Sequence, residues 1–175
     1  MQVSEAIDLI SHAALQNSTP QHWADLGCGS GLFSEALAHL LPDQSHILCC
    51  DKVSQGFANR TISNVELEFK LLDFQHKMLS TESLHGILMA NSLHYVKDKA
   101  AFVDQWKKAL KPGGKFIIVE YNTRESNPWV PYPIPFSELK SLFEKADAKN
   151  IIKLGERPSI YRSENMYACE VEFED

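Results

Sequence analysis

The chain has 175 residues, 44% of them hydrophobic and 23% charged, with a formal net charge of −6. Those values describe one globular domain over residues 1–175 and exclude a disordered or fibrous chain. With no dense Lys/Arg run, duplex nucleic acid is not an expected partner.

The opening residues, MQVSEAIDLI, carry acids where a signal peptide needs a basic segment, and no apolar run approaches the roughly 20 residues of a membrane-spanning helix. Cys28, Cys49, Cys50 and Cys169 show neither a disulfide framework nor metal-ligand spacing. The expectation is a reducing, cytoplasmic compartment, with no metal site and no membrane insertion.

Val3, Ile7, Ile10 and Ala14 fall at helical spacing, so residues 3–16 of an N-terminal segment 1–18 read as an amphipathic helix. His22 to Gly27 reads as a strand ending in a glycine-rich turn. Ser30 to Leu41 follows as a helix with Phe33, Leu37 and Leu40 on one face. His46 to Asp51 is a second strand, Gln55 to Ser63 a helix, and Leu67 to Asp73 a third strand. Gly86 to Asn91 is apolar like a strand covered on both faces. Lys99 to Leu110 is helical, and Pro112-Gly113-Gly114 turns into a strand from Lys115 to Tyr121.

Residues 122–135 hold four prolines with Trp129 and Tyr132, a stiff and partly apolar loop. A helix from Ser137 to Lys145 precedes closing strands at Ile151 to Leu154 and Tyr167 to Phe173. Strands alternating with helices predict an α/β fold, a mostly parallel sheet covered on both faces. The last two strands have no room for a crossover between them and should pair antiparallel.

The sharpest motif is WADLGCGSGLF, residues 23–33. Gly27, Gly29 and Gly31 sit between a strand and a helix, where glycine permits a tight turn and close approach of backbone to ligand. Free N–H groups at the helix start would face polar ligand atoms. Asp51 closes the second strand, where a doubly wound sheet places the carboxylate that accepts ribose hydroxyls. Asp73 closes the third, within reach of an adenine amino group.

The dinucleotide fingerprint fails: counted from Gly27 its third glycine is Leu32, and counted from Gly29 it is Ser34. Asp25 would also repel a pyrophosphate, whereas beside a cationic amino-acid group it is favourable. An NAD-type oxidoreductase is therefore disfavoured.

Asp25 to Gly31 (DLGCGSG) resembles the first motif of class I S-adenosylmethionine-dependent methyltransferases. Asp51 matches that family's ribose-binding acid, and Asp73-Phe74 its adenine-proximal motif. Asn91-Ser92-Leu93-His94-Tyr95 is similar to the segment after the fourth strand in small-molecule methyltransferases of quinone biosynthesis. LKPGGKFIIVE, Leu110 to Glu120, resembles the turn into the fifth strand. The resemblance implies a Rossmann-like sheet of seven strands in the order 3-2-1-4-5-7-6, with strand 7 antiparallel. It implies S-adenosylmethionine as donor and S-adenosylhomocysteine as product. The donor would be held by Asp25, Gly27, Cys28, Gly29, Gly31, Asp51, Lys52, Asp73, Phe74, Asn91 and Ser92. No Asn-Pro-Pro-Tyr or Asp-Pro-Pro-Tyr segment follows the fourth strand, so amide or base-amino methylation of that kind is not implied.

His94, Tyr121, Tyr95 and His12 are the candidate bases, His94 and Tyr121 foremost. His94 reads either as a base or as a histidine packed beside its loop, and Tyr121 as an acceptor contact or a core aromatic. Arg124, Trp129 and Tyr132 would contact the acceptor if the proline loop covers it; otherwise that loop is a rigid surface connection. The expected activity is methyl transfer to a small, partly apolar acceptor. The alternative is a catalytically silent module that keeps the fold for donor binding or for protein interaction.

Overall fold

The computed structural model describes residues 1–13, 15, 18–80, 83–158 and 165–173. Eight strands form one sheet: β1 (His22–Leu26), β2 (His46–Asp51), β3 (Arg60–Ile62), β4 (Val65–Leu71), β5 (Leu84–Ala90), β6 (Leu110–Tyr121), β7 (Ala148–Pro158) and β8 (Asn165–Phe173). Among the described residues four α-helices accompany them: α1 (Val3–Ile10), α2 (Leu32–Ala38), α3 (Lys99–Trp106) and α4 (Phe136–Lys145). The order across the sheet is β3-β4-β2-β1-β5-β6-β8-β7. Strands β4, β2, β1, β5 and β6 run parallel, while β8 is antiparallel to both β6 and β7.

Without β3 this is the order expected from the resemblance. The eighth strand arises where a helix was expected, over Gln55 to Ser63. Ser63 (φ 50°) and Asn64 (φ 61°) both take left-handed backbone, the signature of a two-residue hairpin turn. That turn folds Arg60–Ile62 back antiparallel along Val65–Leu67. The N-terminal helix is also shorter than expected. It stops at Ile10, where the Ser11 hydroxyl donates to the Asp8 carbonyl, and Ala14 lies outside the described residues.

Strand side chains alternate between faces, and both faces are buried. Leu26, Phe116, Ile118, Tyr167 and Cys169 pack with Trp106 of α3 and Phe143 of α4. Trp23, Ile47, Ile117, Val119 and Ala168 pack on the other face with Ile10 of α1 and Leu37 of α2. Each buried aliphatic side chain contributes roughly 1.5–3 kcal/mol, so the sheet's centre is a firm platform. Opposite Trp23, β5 carries Gly86, where a Cβ would lie 2.2 Å from the indole ring. No helix among the described residues is long and apolar enough to cross a membrane.

Candidate donor cavity and its neighbouring groove

The carboxyl ends of β1, β2, β4 and β5 surround a cavity of about 490 Å³. All the residues expected to hold the donor line it except Gly31.

The glycine loop forms its floor. Gly27 (φ 86°), Gly29 (φ 54°) and Gly31 (φ 90°) are all left-handed. At Gly27 a Cβ would lie 2.5 Å from Ser92 Cβ, and at Gly31 one would lie 2.3 Å from the Phe57 ring. Gly31 therefore shapes the loop from behind, without touching the cavity. The helix starts at Leu32, two residues later than Ser30, because left-handed Gly31 is its cap. Most of the loop's N–H groups are already engaged. Those of Gly27 and Cys28 donate to the Cys50 carbonyl at 2.8 and 3.0 Å, and that of Gly31 donates to Cys28. The Gly29 N–H donates to Asp51 Oδ2 at 2.9 Å. The neighbouring strand thus takes the N–H groups of Gly27, Cys28 and Gly29, while Gly31 closes the loop on itself.

Three acids face the cavity in different states. Asp25 is 1% exposed, and its Oδ2 accepts the Ser34 hydroxyl at 2.5 Å. Its Oδ1 is buried with no partner. Burial pushes the carboxyl up to about 7, against the Ser34 bond and with a smaller push from Asp51. Asp51 accepts the Gly29 N–H on Oδ2 and the Val53 N–H on Oδ1 at 3.1 Å, leaving a further lone pair on each oxygen. Asp73 is partly desolvated, yet bonds from His76 and the Gln75 N–H hold its carboxyl below the usual range.

On the opposite wall, Asn91 (φ 53°) donates its N–H to the Val119 carbonyl, and its side-chain Oδ1 is buried without a partner. Ser92 lines the cavity, but its hydroxyl donates to the Leu26 carbonyl at 2.6 Å and fastens the loop. Phe74 is buried edge-on against Phe102, while Lys52 is exposed. Cys28 is buried and its thiol is pushed far up by desolvation, which leaves it inert. Phe33 and Gln55 also line the cavity; Phe33 had been legible only as the core face of a helix.

Among the candidate bases, only Tyr95 lines the cavity, with 40% exposure. His94 is 2% exposed. Its backbone N–H donates to Glu120 Oε1 at 3.0 Å, and its Nδ1 meets Glu120 Oε2 at 2.8 Å. The buried Glu120 side chain draws His94 inward, which fits the packed histidine of the two readings and not a base facing the cavity. Tyr121, half-buried at the end of β6, stands 6.1 Å from the His94 ring and does not line the cavity either. His12 lies in a separate groove with Glu5, Asp8 and Arg157.

The proline segment is fixed but does not roof the cavity. Asn127 Oδ1 accepts the N–H groups of Trp129 and Val130 at 2.8 Å, and the Tyr132 N–H donates to the His94 carbonyl at 3.0 Å. Val130 and Ile134 are the buried anchors, and Trp129 is left 78% exposed, lining neither hollow. Tyr132 and Arg124 line a second, open groove with Lys97 and Lys99. No cluster among the described residues could hold a metal ion.

Residues 24–116 match the family model described as "Methyltransferase domain". The chain is 28% identical over 103 residues to the ubiquinone biosynthesis O-methyltransferase of Xylella fastidiosa (strain M23), covering 56% of this chain and 41% of that protein. It is 27% identical over 135 residues to the demethylmenaquinone methyltransferase of Clavibacter sepedonicus, covering 74% and 50%. The matches thus span about half the length of these curated relatives. The fold also resembles a Burkholderia thailandensis 1,6-didemethyltoxoflavin-N1-methyltransferase solved with its substrate and S-adenosylhomocysteine, with a TM-score of 0.68 and 16% identity over 99% of this chain and 78% of that one. The matched stretch contains the glycine loop, all three acids and Asn91, in the strand order found for the sheet, and the chain belongs to the methyltransferase domain family.

Proposed function

We propose that this chain binds S-adenosylmethionine in the cavity and transfers its methyl group to a small, partly apolar acceptor. One observation carries this reading. Asp25 Oδ1 and Asn91 Oδ1, two buried oxygens without donors, stand on the wall of the same cavity. Leaving a buried acceptor unpaired costs about 1–3 kcal/mol, so the pair calls for a ligand rich in N–H donors. An amino-acid ammonium meets that need and suits the acidic floor, which a pyrophosphate does not. The spare lone pairs of Asp51 suit ribose hydroxyls. Phe74 and Val53 offer apolar surface to a purine, with Asp73 for its amino group.

S-adenosylmethionine supplies, when bound, a methyl group already activated by the attached sulfonium. What this chain's residues add is position: the preformed loop fixes the donor, and alignment with the acceptor supplies on the order of 7 kcal/mol or more. Tyr95, at the exposed rim, forms the acceptor's first wall and is the one candidate base that lines the cavity, placed to take a proton from a hydroxyl acceptor. His94 acts from behind, packing its ring 4.4 Å from Tyr95. The relatives named for ubiquinone and menaquinone synthesis support a small and partly apolar acceptor. The rim open at Tyr95 speaks against a silent module, which needs no acceptor entrance. Four free, buried cysteines agree with a reducing cytoplasm.

Calorimetry with S-adenosylhomocysteine and NADH tests the donor. Binding of the first and not the second is expected, and the reverse sinks the proposal. Methyl transfer to a metabolite pool then identifies the acceptor.

A further inference from the structure

We propose that the groove beside the donor cavity is an anion subsite, and that it holds a carboxylate or phosphate borne by the methyl acceptor. The inference rests on the methyl-transfer reading for the word acceptor; the anion subsite itself stands on geometry. The groove has a volume of about 510 Å³ and lies between the turn after β5 and the proline segment. Three cations line it, Lys97, Lys99 and Arg124, against one carboxylate, Glu138. In a chain of net charge −6 this is a local inversion of sign.

The cations are not equivalent. Arg124 Nε donates to Glu138 Oε1 at 2.6 Å, so these two charges offset each other. Neither Lys97 nor Lys99 forms an ion pair among the described residues. Lys99 is half-buried, and its ammonium donates to the Val96 carbonyl at 2.8 Å and the Tyr132 carbonyl at 2.7 Å. Two neutral carbonyls hold the ammonium in place without cancelling its charge, and a third N–H is left for a ligand. Desolvation lowers its pKa, with Glu120 pulling the other way. Glu120 forms no ion pair with Lys99 among the described residues: its oxygens lie against the His94 backbone N–H and Nδ1, and its charge acts on Lys99 only from a distance. An anion seated here would restore the electrostatic support that burial has removed from Lys99.

The groove is coupled to the donor cavity through one turn. Tyr95 lines the cavity and Lys97 lines the groove two residues further on, so their Cα atoms lie at most about 7 Å apart. The groove's far wall is tied to the same turn by the Tyr132 N–H on the His94 carbonyl. Tyr132, Pro131 and Pro133 make that wall apolar. An acceptor with a ring against Tyr95 and an acidic substituent toward Lys97 and Lys99 fits both hollows.

The test is a titration of the isotopically labelled protein with benzoate and with benzamide, its neutral counterpart, followed by amide chemical shifts. Benzoate should move the Lys97–Lys99 and Tyr132 signals and benzamide should not, with S-adenosylhomocysteine present or absent. Lys99→Met should weaken benzoate at least tenfold, and Lys97→Gln at least threefold. If Lys99→Met fails to fold, Lys97→Gln decides alone, since Lys97 is exposed and its side chain makes no bond among the described residues. Equal responses to the two probes, indifference to the lysine substitutions, or displacement of benzoate by S-adenosylhomocysteine would overturn the proposal. A protein that binds benzoate as described but no S-adenosylhomocysteine would sink the methyl-transfer reading and leave the anion groove standing.

Discussion

Two loops at the same edge of the sheet are made rigid by opposite means. The loop after β1 is fixed by backbone: left-handed glycines, two N–H groups on the Cys50 carbonyl and one on Asp51. The segment after β6 is fixed by prolines and by one side chain, Asn127, bonded to the two N–H groups that follow it. The first spends most of its N–H groups within the fold, and the buried side-chain oxygens left without a partner around it, among the described residues, are those of Asp25 in β1 and Asn91 after β5, a narrow demand suited to one ligand. The second leaves Trp129 exposed and sets Tyr132 on the wall of a basic groove, an open surface suited to a more varied partner. A donor common to many enzymes and an acceptor particular to one require such a division.

The contrast is broken most severely at Gly31. An alanine there must hold φ near 90° and push its Cβ into the Phe57 ring. Gly31→Ala should cost about 3 kcal/mol in urea unfolding, from a left-handed non-glycine residue and overpacking together. Its S-adenosylhomocysteine binding should be lost with it. A Pro131→Ala change in the other loop should cost at most about 1 kcal/mol, through the unfolded chain. Equal losses would mean that the two loops are not built differently.

Asp51→Ala comes next. It removes an acceptor for the ligand and the anchor of the Gly29 and Val53 N–H groups. S-adenosylhomocysteine affinity should fall by roughly 1.5–3 kcal/mol by calorimetry, the range for bonds to a charged group. Unchanged affinity in a folded variant would take Asp51 out of the site.

A smaller effect is expected from pH. The Asp25 carboxyl is raised from 3.8 to about 7 in the unliganded fold. Its contribution to stability is therefore full below 3.8 and is lost as pH climbs through about 7. A ligand ammonium favours the ionised form, so binding releases a proton. S-adenosylhomocysteine affinity should rise roughly tenfold between about pH 6 and 8, and Asp25→Asn should flatten the profile. Calorimetry in buffers of different ionisation enthalpy counts the proton directly; no release would contradict the placement of the ammonium beside Asp25.

The smallest change belongs to Trp129. Being 78% exposed, it should leave stability and S-adenosylhomocysteine affinity within about 0.5 kcal/mol when replaced by alanine. If this segment serves the acceptor, KM for the acceptor rises severalfold while donor affinity holds.

Much of this division was legible before the structure. The alternation of strands and helices gave the sheet, and Asp25 to Gly31 with Asp51 and Asp73 located the cavity. What escaped depends on contacts between distant residues or on unusual backbone. Ser63-Asn64 turns a hairpin without the glycine that marks such turns, so β3 was read as a helix. The bond between His94 and Glu120 spans 26 positions, and nothing local signals that a histidine in the site segment is drawn inward. Lys97 and Lys99 carry no motif that singles them out in the sequence. The Tyr132 carbonyl that accepts from the half-buried Lys99 lies 33 positions later in the chain.

The position of β8 between β6 and β7 has a consequence for how the chain is assembled during synthesis. Among the described residues β7 pairs with β8 alone, so it emerges from the ribosome before that partner strand exists. Until β8 follows, β6 presents an open edge and β7 has nowhere to pair, the condition in which strands of different molecules join. The charged residues Lys149, Lys153, Glu156 and Arg157 along β7 are suited to keep that waiting strand apart from its neighbours. The donor cavity, built on β1, β2, β4 and β5, needs neither strand to be framed, so the ligand-binding half is complete in outline while the other edge is still being made.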